Sequence, residues 1–221
     1  MTLYAGSSGF SYGSWRGGFY PADAQPDAFL RFYAERLPSV ELNTTFYHLP
    51  SQEQFERWSA ATPPGFRFAV TLSRRVTARG RVEGLDAFVA SARVMGDRLG
   101  PIRIKVPQIR DDGFLLLLLG SVDPDLRLAL DFRHPSWDVP DVTARLDEHG
   151  IARVDALEGA APFRYLRLRE PPYDEGVLAA WAERLRPLLV DGIDVYAYFK
   201  HEDEPSAPAY ARRLLELAAA G

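Results

Sequence analysis

Residues 128–137, LALDFRHPSW, place Asp131, Arg133 and His134 at the end of an apolar run, directly before a proline and a tryptophan. A carboxylate, a guanidinium and an imidazole this close could grip an anion and move a proton. Strand alternation puts Leu128, Leu130 and Phe132 on one face and Ala129, Asp131 and Arg133 on the other. A charged pair on the inner face of a core strand is costly unless it is matched or used. The same alternation recurs elsewhere. Glu41, Asn43 and Thr45 oppose Val40 and Leu42, and Arg103 and Lys105 oppose Ile102, Ile104 and Val106. Arg153 and Asp155 flank Val154; Tyr165, Arg167 and Arg169 oppose Leu166 and Leu168; Tyr196, Tyr198 and Lys200 oppose Val195, Ala197 and Phe199. The polar faces thus carry seven cations (Arg103, Lys105, Arg133, Arg153, Arg167, Arg169, Lys200) against three carboxylates (Glu41, Asp131, Asp155).

Elements able to position these residues follow from the periodicity. Strands are expected at 3–10, 40–46, 66–73, 102–107, 127–134, 151–157, 163–169 and 194–201. Helices are expected at 26–37, 51–61, 85–99, 112–120, 141–150, 177–190 and 207–219. Ser51 and Gln54 form a capping box for the second helix. Eight strands, most followed by a helix, predict an α/β fold of parallel strands closed as a (β/α)8 TIM barrel. The barrel is trimmed: EGAAP, between strands six and seven, is too short for a regular crossover helix. An open doubly wound sheet is the other possibility, but no Gly-x-Gly-x-x-Gly turn follows the first strand. Without an internal repeat or linker, the chain reads as a single domain over residues 1–221.

Composition narrows the function classes. The 221 residues are 47% hydrophobic and 25% charged, enough for a large core. A net charge of −4 gives no global attraction to nucleic acid or acidic membranes, so affinity for anions has to be local. The absence of cysteine excludes disulfides, thiolate metal sites and thiol nucleophiles. The first residues, MTLYAGSSGF, lack a signal-peptide pattern, and leucines 115–119 are too few to span a bilayer. The expectation is a soluble cytoplasmic protein with no membrane partner and no cofactor.

GSSGFSYGSWRGGFYP (6–21) resembles the opening motif of the YecE-like family, also called domain of unknown function 72, through Gly6, Ser8, Gly9, Phe10, Tyr12, Trp15, Gly17, Phe19, Tyr20 and Pro21. VELNTTFYHLP (40–50) is similar to its second block at Glu41, Asn43, Thr45, Phe46, Tyr47 and Pro50. DFRHPSW (131–137) is similar to a Glu-Phe-Arg-His-x-Ser-Trp motif, with Asp131 in place of glutamate; YLRLR (165–169) and YAYFK (196–200) fit later blocks more loosely. The resemblance spans almost the whole chain and implies a (β/α)8 barrel, but no particular reaction. It also implies departures. Thr71 stands where lysine is common, Ala78 where histidine is expected, Lys105 for glutamine, Arg169 for histidine and Lys200 for asparagine. A shared catalytic lysine or histidine at positions 71, 78 or 169 would be missing here.

Three chemistries fit. The first is an enzyme, or a barrel descended from one, for a small anionic, phosphorylated ligand at the C-terminal mouth. Glu41, Asp131 and His134 are its candidate acid/base residues. Arg133 and Arg167 would clamp the anion, with Lys105, Asp155, Arg169 and Lys200 around them. Ser8, Asn43 and Tyr198 would orient neutral groups, and Tyr12, Trp15, Tyr47 and Trp137 would wall the pocket, although loop packing is the plainer role for any one aromatic. The second is a metal-dependent sugar isomerase or endonuclease using Glu41, Asp131, His134, Asp155 and His201. No close ligand pair occurs and the nearby cations oppose a metal, so no metal ligand is assigned. The third is a nucleic-acid binder with Arg74, Arg75, Arg79 and Arg81 of RRVTARGR (74–81) on its rim.

Overall fold

Apolar residues at alternate positions, bounded by Gly, Pro and Asp turns, produce eight short parallel strands in the computed structural model, which describes residues 2–77, 82, 84–106, 108–121 and 123–220. They are β1 (Leu3–Ser7), β2 (Ser39–Leu42), β3 (Arg67–Thr71), β4 (Leu99–Val106), β5 (Leu128–Phe132), β6 (Ala152–Arg153), β7 (Phe163–Leu168) and β8 (Asp194–Phe199). The helices are α1 (Phe29–Ala34), α2 (Gln52–Ala60), α3 (Arg74–Thr77), α4 (Leu85–Ala92), α5 (Asp112–Gly120), α6 (Pro140–Glu148), α7 (Glu175–Val190) and α8 (Ser206–Ala219). As expected, α2 is capped by Ser51, whose Oγ accepts from the Gln54 N–H at 3.2 Å. Ala78, Arg79 and Arg81 lie outside the described residues. No helix among the described residues is long and apolar enough to cross a membrane.

The strands form two parallel sheets, ordered β1-β8-β7 and β2-β3-β4-β5-β6. Between the ladders, side chains supplement sparse backbone bonds. At the β1–β2 edge, the Tyr33 hydroxyl of α1 accepts from the Ser7 N–H at 2.8 Å and donates to the Ser39 carbonyl at 3.0 Å. Gly6 makes room for this, because a Cβ there would lie 2.0 Å from the Ser39 oxygen. An isolated bridge pairs Ser8 with Glu41 just beyond. At the β6–β7 edge, the Asp155 N–H donates to the Tyr165 carbonyl at 2.8 Å, and Asp155 Oδ1 accepts from the Arg167 N–H at 2.6 Å.

Two apolar clusters lie on opposite faces of these strands. Leu42, Ile102, Ile104, Leu128, Leu130, Leu166 and Phe199 pack against the helices. Tyr4, Ala69, Ala129, Ala152, Phe163, Tyr165, Tyr196 and Tyr198 fill the inner face, drawing on both sheets. At the N-terminal end Tyr4 stacks on Tyr196 at 4.7 Å, and Arg127 donates to the Tyr196 hydroxyl at 2.6 Å. At that end the face shared by the two sheets is therefore lined by aromatic rings, with Arg127 bonded to one of them.

Several boundaries differ from the sequence expectation. The strand expected at 40–46 ends at Leu42, and Thr45 enters a 3-10 turn where its Oγ donates to the carbonyls of Leu42 and Thr71. The strand expected at 151–157 keeps two residues, and its polarity is reversed. Ala152 and Val154 join the inner cluster, while Arg153 reaches out to Asp138 and the Trp137 carbonyl. A small inward residue suits the crowded space beside the tyrosines, and Arg153 finds its acceptors outside. The helix expected at 85–99 stops at Ala92 and continues as 3-10 turns to Arg98. The basic loop at 74–81 opens with the single-turn α3.

The expected missing helix between β6 and β7 is absent, and Arg164 occupies its place. Its guanidinium donates to the carbonyls of Leu157 (2.7 Å), Gly159 (2.6 Å), Ala161 (2.7 Å) and Phe163 (3.0 Å), satisfying a tight loop with one buried side chain. The edge relay yields a prediction. Tyr33→Phe leaves the Ser7 N–H and Ser39 carbonyl without their buried partner, so urea unfolding should show a loss of about 1–3 kcal/mol. An unchanged midpoint would mean that the edge holds without it.

Candidate functional site

Glu41 anchors the C-terminal end of the strands. It has no exposed surface, and both its oxygens are engaged. Oε1 accepts from the Tyr165 hydroxyl at 2.7 Å and lies 2.9 Å from Arg167 Nε; Oε2 accepts from Asn43 Nδ2 at 3.0 Å and Arg167 Nη2 at 3.1 Å. Arg103 Nη1 stands 3.8 Å away. Burial alone would raise its pKa, but Arg167, Arg103, Tyr165 and Asn43 outweigh that and hold it below the ordinary carboxylate value. Glu41 is therefore a fixed anion, poorly suited to donate a proton near neutrality.

Asp131 is the second anchor, reached from both sides. Arg103 binds it through Nε at 2.8 Å and also through Nη2, and Arg133 Nη2 lies 2.7 Å from the same Oδ2. One buried carboxylate thus serves two guanidinia. Arg103 continues to Thr71 Oγ1 (3.3 Å) and Asn43 Oδ1 (3.4 Å), so Thr71 fills a role in the network. Arg133 remains partly open, with 29% of its side chain exposed. Burial and the neighbouring Arg169, Arg103 and Arg167 disfavour its charge against the pull of Asp131.

Lys105 pairs with Asp131 in the β4–β5 register but makes no ion pair or side-chain hydrogen bond among the described residues. Its Nζ sits 5.3 Å from the centre of the Phe46 ring. Burial, followed by Arg133 and Arg103, lowers its pKa despite Asp131. Lys200, exposed at the end of β8, likewise shows no side-chain partner among the described residues. Asp155 turns through a left-handed backbone conformation, φ 67°, and binds Arg169 at 2.7 Å on the rim.

Other expected site residues are placed elsewhere. Trp15 and Trp137 are fully buried and cannot wall an open pocket. Trp15 Nε1 donates to the Glu202 carbonyl at 3.0 Å, Trp137 Nε1 to the Gln108 carbonyl at 2.9 Å, and Trp137 stacks on Phe132. Tyr198 lies deep, its hydroxyl 2.6 Å from Ser39 Oγ. Buried Ser8 accepts from the His201 N–H at 3.4 Å. His134 caps the short turn Pro135–Trp137, where Nδ1 accepts from the Ser136 N–H. Tyr12 stacks on His201 at 4.6 Å, and burial with nearby Glu41 pushes its hydroxyl up to about 12. It borders a cavity of about 290 Å³ shared with Phe10, Leu42, Asn43 and Trp58. The sequence reading missed Tyr165 as the hydroxyl donor to Glu41, although its inward parity was legible. Among the described residues, no group of three or more His, Cys, Asp or Glu side chains could hold a metal ion.

Residues 4–221 match the family described as protein of unknown function DUF72, and the chain belongs to that family. It is similar to UPF0759 protein YecE of Escherichia coli strain K12, with 26% identity over 57% of this chain and 50% of that protein. The chain thus spans about half the length of that relative. It is also similar to UPF0759 protein YunF of Bacillus subtilis, with 22% identity over 90% of this chain and 89% of that one. Among solved structures, a DUF72 family protein from Thermotoga maritima superposes with a TM-score of 0.84 at 25% identity, covering 99% of this chain and 100% of the other. A DUF72 family protein from Enterococcus faecalis shares the fold at a TM-score of 0.75 and 17% identity, covering 87% and 94%.

Glu41 sets a pH dependence. A carboxyl whose pKa is lower folded than unfolded contributes stability that is intact above its ordinary value near 4.5 and is lost as pH falls through the folded value. Glu41→Gln should cost about 3–5 kcal/mol at pH 7 by stranding Arg167, while Arg103 keeps Asp131. In denaturation across pH, the gap from wild type should shrink below the ordinary carboxylate value; a constant gap would place the effect in packing.

Proposed function

We propose that this DUF72 protein binds a small anionic, phosphorylated ligand at the C-terminal ends of its strands, through Arg133, Lys105 and Lys200. The observation that carries this reading is the sharing of Asp131 between Arg103 and Arg133 while Lys105 beside them pairs with no carboxylate among the described residues. Arg103 and Arg167 belong to the scaffold, being spent on Asp131 and Glu41. Arg133 gives only Nη2 to Asp131 among the described residues and is otherwise open, so its remaining N–H groups can donate to an oxyanion. Six cations (Arg103, Lys105, Arg133, Arg167, Arg169, Lys200) then face three carboxylates (Glu41, Asp131, Asp155) in a protein whose overall charge is −4. A partly desolvated cluster of this kind concentrates anions. Any proton transfer falls to His134, three residues beyond Asp131, whose Nε2 is left over by the Ser136 turn, while Glu41 serves as a fixed charge.

The same reading has the eight strands closing as a trimmed (β/α)8 barrel in a single unit over residues 1–221. Support comes from the two edge relays through Tyr33 and Asp155 and from the inner cluster drawn from both sheets. In such a barrel the ends of β7 and β8 lie close to where phosphate groups are often bound. A second reading, a nucleic-acid surface, has one observation in its favour: Arg74 sits 5.7 Å from the ring of Tyr47, which is 55% exposed.

Thermal shift and calorimetry with phosphate, sugar phosphates and short oligonucleotides, each with and without chelator, test the proposal. Phosphate at about ten times its Kd should raise Tm by about 4 °C, and chelation should not matter. Arg133→Ala should remove most of the shift. Stabilisation by divalent metal alone, abolished by chelation, would replace this reading with a metal site. A response confined to oligonucleotides and steeply salt-dependent would favour the surface.

A further inference from the structure

The chain contains two lysines against twenty-four arginines, and both lysines, Lys105 and Lys200, stand at the C-terminal ends of strands in the candidate site. If the site needed only positive charge, arginine would serve, as it does everywhere else in this chain. Lysine differs in one chemical respect. Its amine can lose a proton and attack as a nucleophile, which a guanidinium cannot do in a protein. Apart from the chain's α-amino group, these are its only primary amines.

Of the two, Lys105 is placed to react. It is half-buried on the inner face of β4, while Lys200 is exposed to water. The carboxylate opposite it in register, Asp131, is taken by Arg103 and Arg133, and Lys105 has no ion pair among the described residues. An ammonium without a counter-ion, partly desolvated and beside guanidinia, gives up its proton more readily; this is how amine nucleophiles are activated. The groups acting on it are Arg133, Arg103 and Arg167, which disfavour its charge, and Asp131, which favours it. Arg133, one strand away, would hold an anionic substituent of the molecule under attack.

We propose that Lys105 forms an imine with an anionic aldehyde or ketone held at the strand ends by Arg133. This rests on the anion-binding reading and names the class of ligand within it. The Nζ lone pair forms the C–N bond as the carbonyl π electrons move to oxygen. That oxygen leaves as water carrying both amine hydrogens, so one amine and one carbonyl give one imine and one water. No oxidant or reductant takes part.

The test uses the full chain with glyoxylate as an anionic aldehyde and propanal as a neutral one, each trapped by borohydride and mapped by peptide mass spectrometry. Glyoxylate should label Lys105 at least about tenfold faster than Lys200 or the α-amino group. Phosphate should suppress that labelling, and propanal should show no such preference. Lys105→Arg keeps the charge and should lose the adduct, with circular dichroism checking its fold. If phosphate stabilises the protein through Arg133 but Lys105 is labelled no faster than Lys200, the imine inference falls and the anion site stands. If Lys105 is labelled equally by both aldehydes and phosphate has no effect, the anionic class is wrong and the anion site falls with it.

Discussion

A carboxylate with no exposed surface has to be met by cations and donors, and Glu41 imposes that requirement on this site. It draws Arg167 from β7, Arg103 from β4, Tyr165 from β7 and Asn43 from the turn after β2. Stranding a buried charge costs several kcal/mol, so these side chains are held in position rather than left to sample the opening. Arg103 then passes the constraint to Asp131, and Asp131 to Arg133. Positions along this chain of pairs are determined from the inside outward. What reaches the surface is a guanidinium with most of its N–H donors unspent among the described residues.

The same demand for hydrogen-bond satisfaction shapes the frame. Where backbone ladders stop, a tyrosine hydroxyl and an aspartate oxygen take over, and where a helix is missing an arginine meets four carbonyls. Site and frame share members. Asp155 ties β6 to β7 through the Arg167 N–H, while the Arg167 side chain binds Glu41. Substitutions at these positions therefore report on folding and on the site together, which is why Arg133, Lys105 and Lys200 are the cleaner probes.

How much of this could be read from the sequence depended on alternation. Leu128, Leu130 and Phe132 against Ala129 and Asp131 gave the correct faces for β5, because five residues of consistent pattern set the parity. Two residues could not do so for β6, and Arg153 was assigned to the wrong side. The tryptophans misled for a different reason. Their placement after strand ends suggested an open wall, but an indole N–H needs only one carbonyl, and Glu202 and Gln108 supplied it within the loops. The pairing of Arg103 with both carboxylates joins residues 28 and 62 positions apart, beyond the reach of local pattern. The scarcity of lysine, by contrast, was visible in the sequence, and gained meaning only when both lysines fell at one end of the strands.

In the proposed anion site, Arg103 and Arg167 are spent on carboxylates, and Arg133 and Lys105 are left for the ligand. Crystals soaked in tungstate, an electron-dense phosphate analogue, test it most directly. One strong peak is expected within hydrogen-bond distance of Arg133 and Lys105, with Arg103 still on Asp131 and Arg167 still on Glu41. A peak that draws Arg103 or Arg167 off its carboxylate, or an ordered opening with no peak at all, would contradict it.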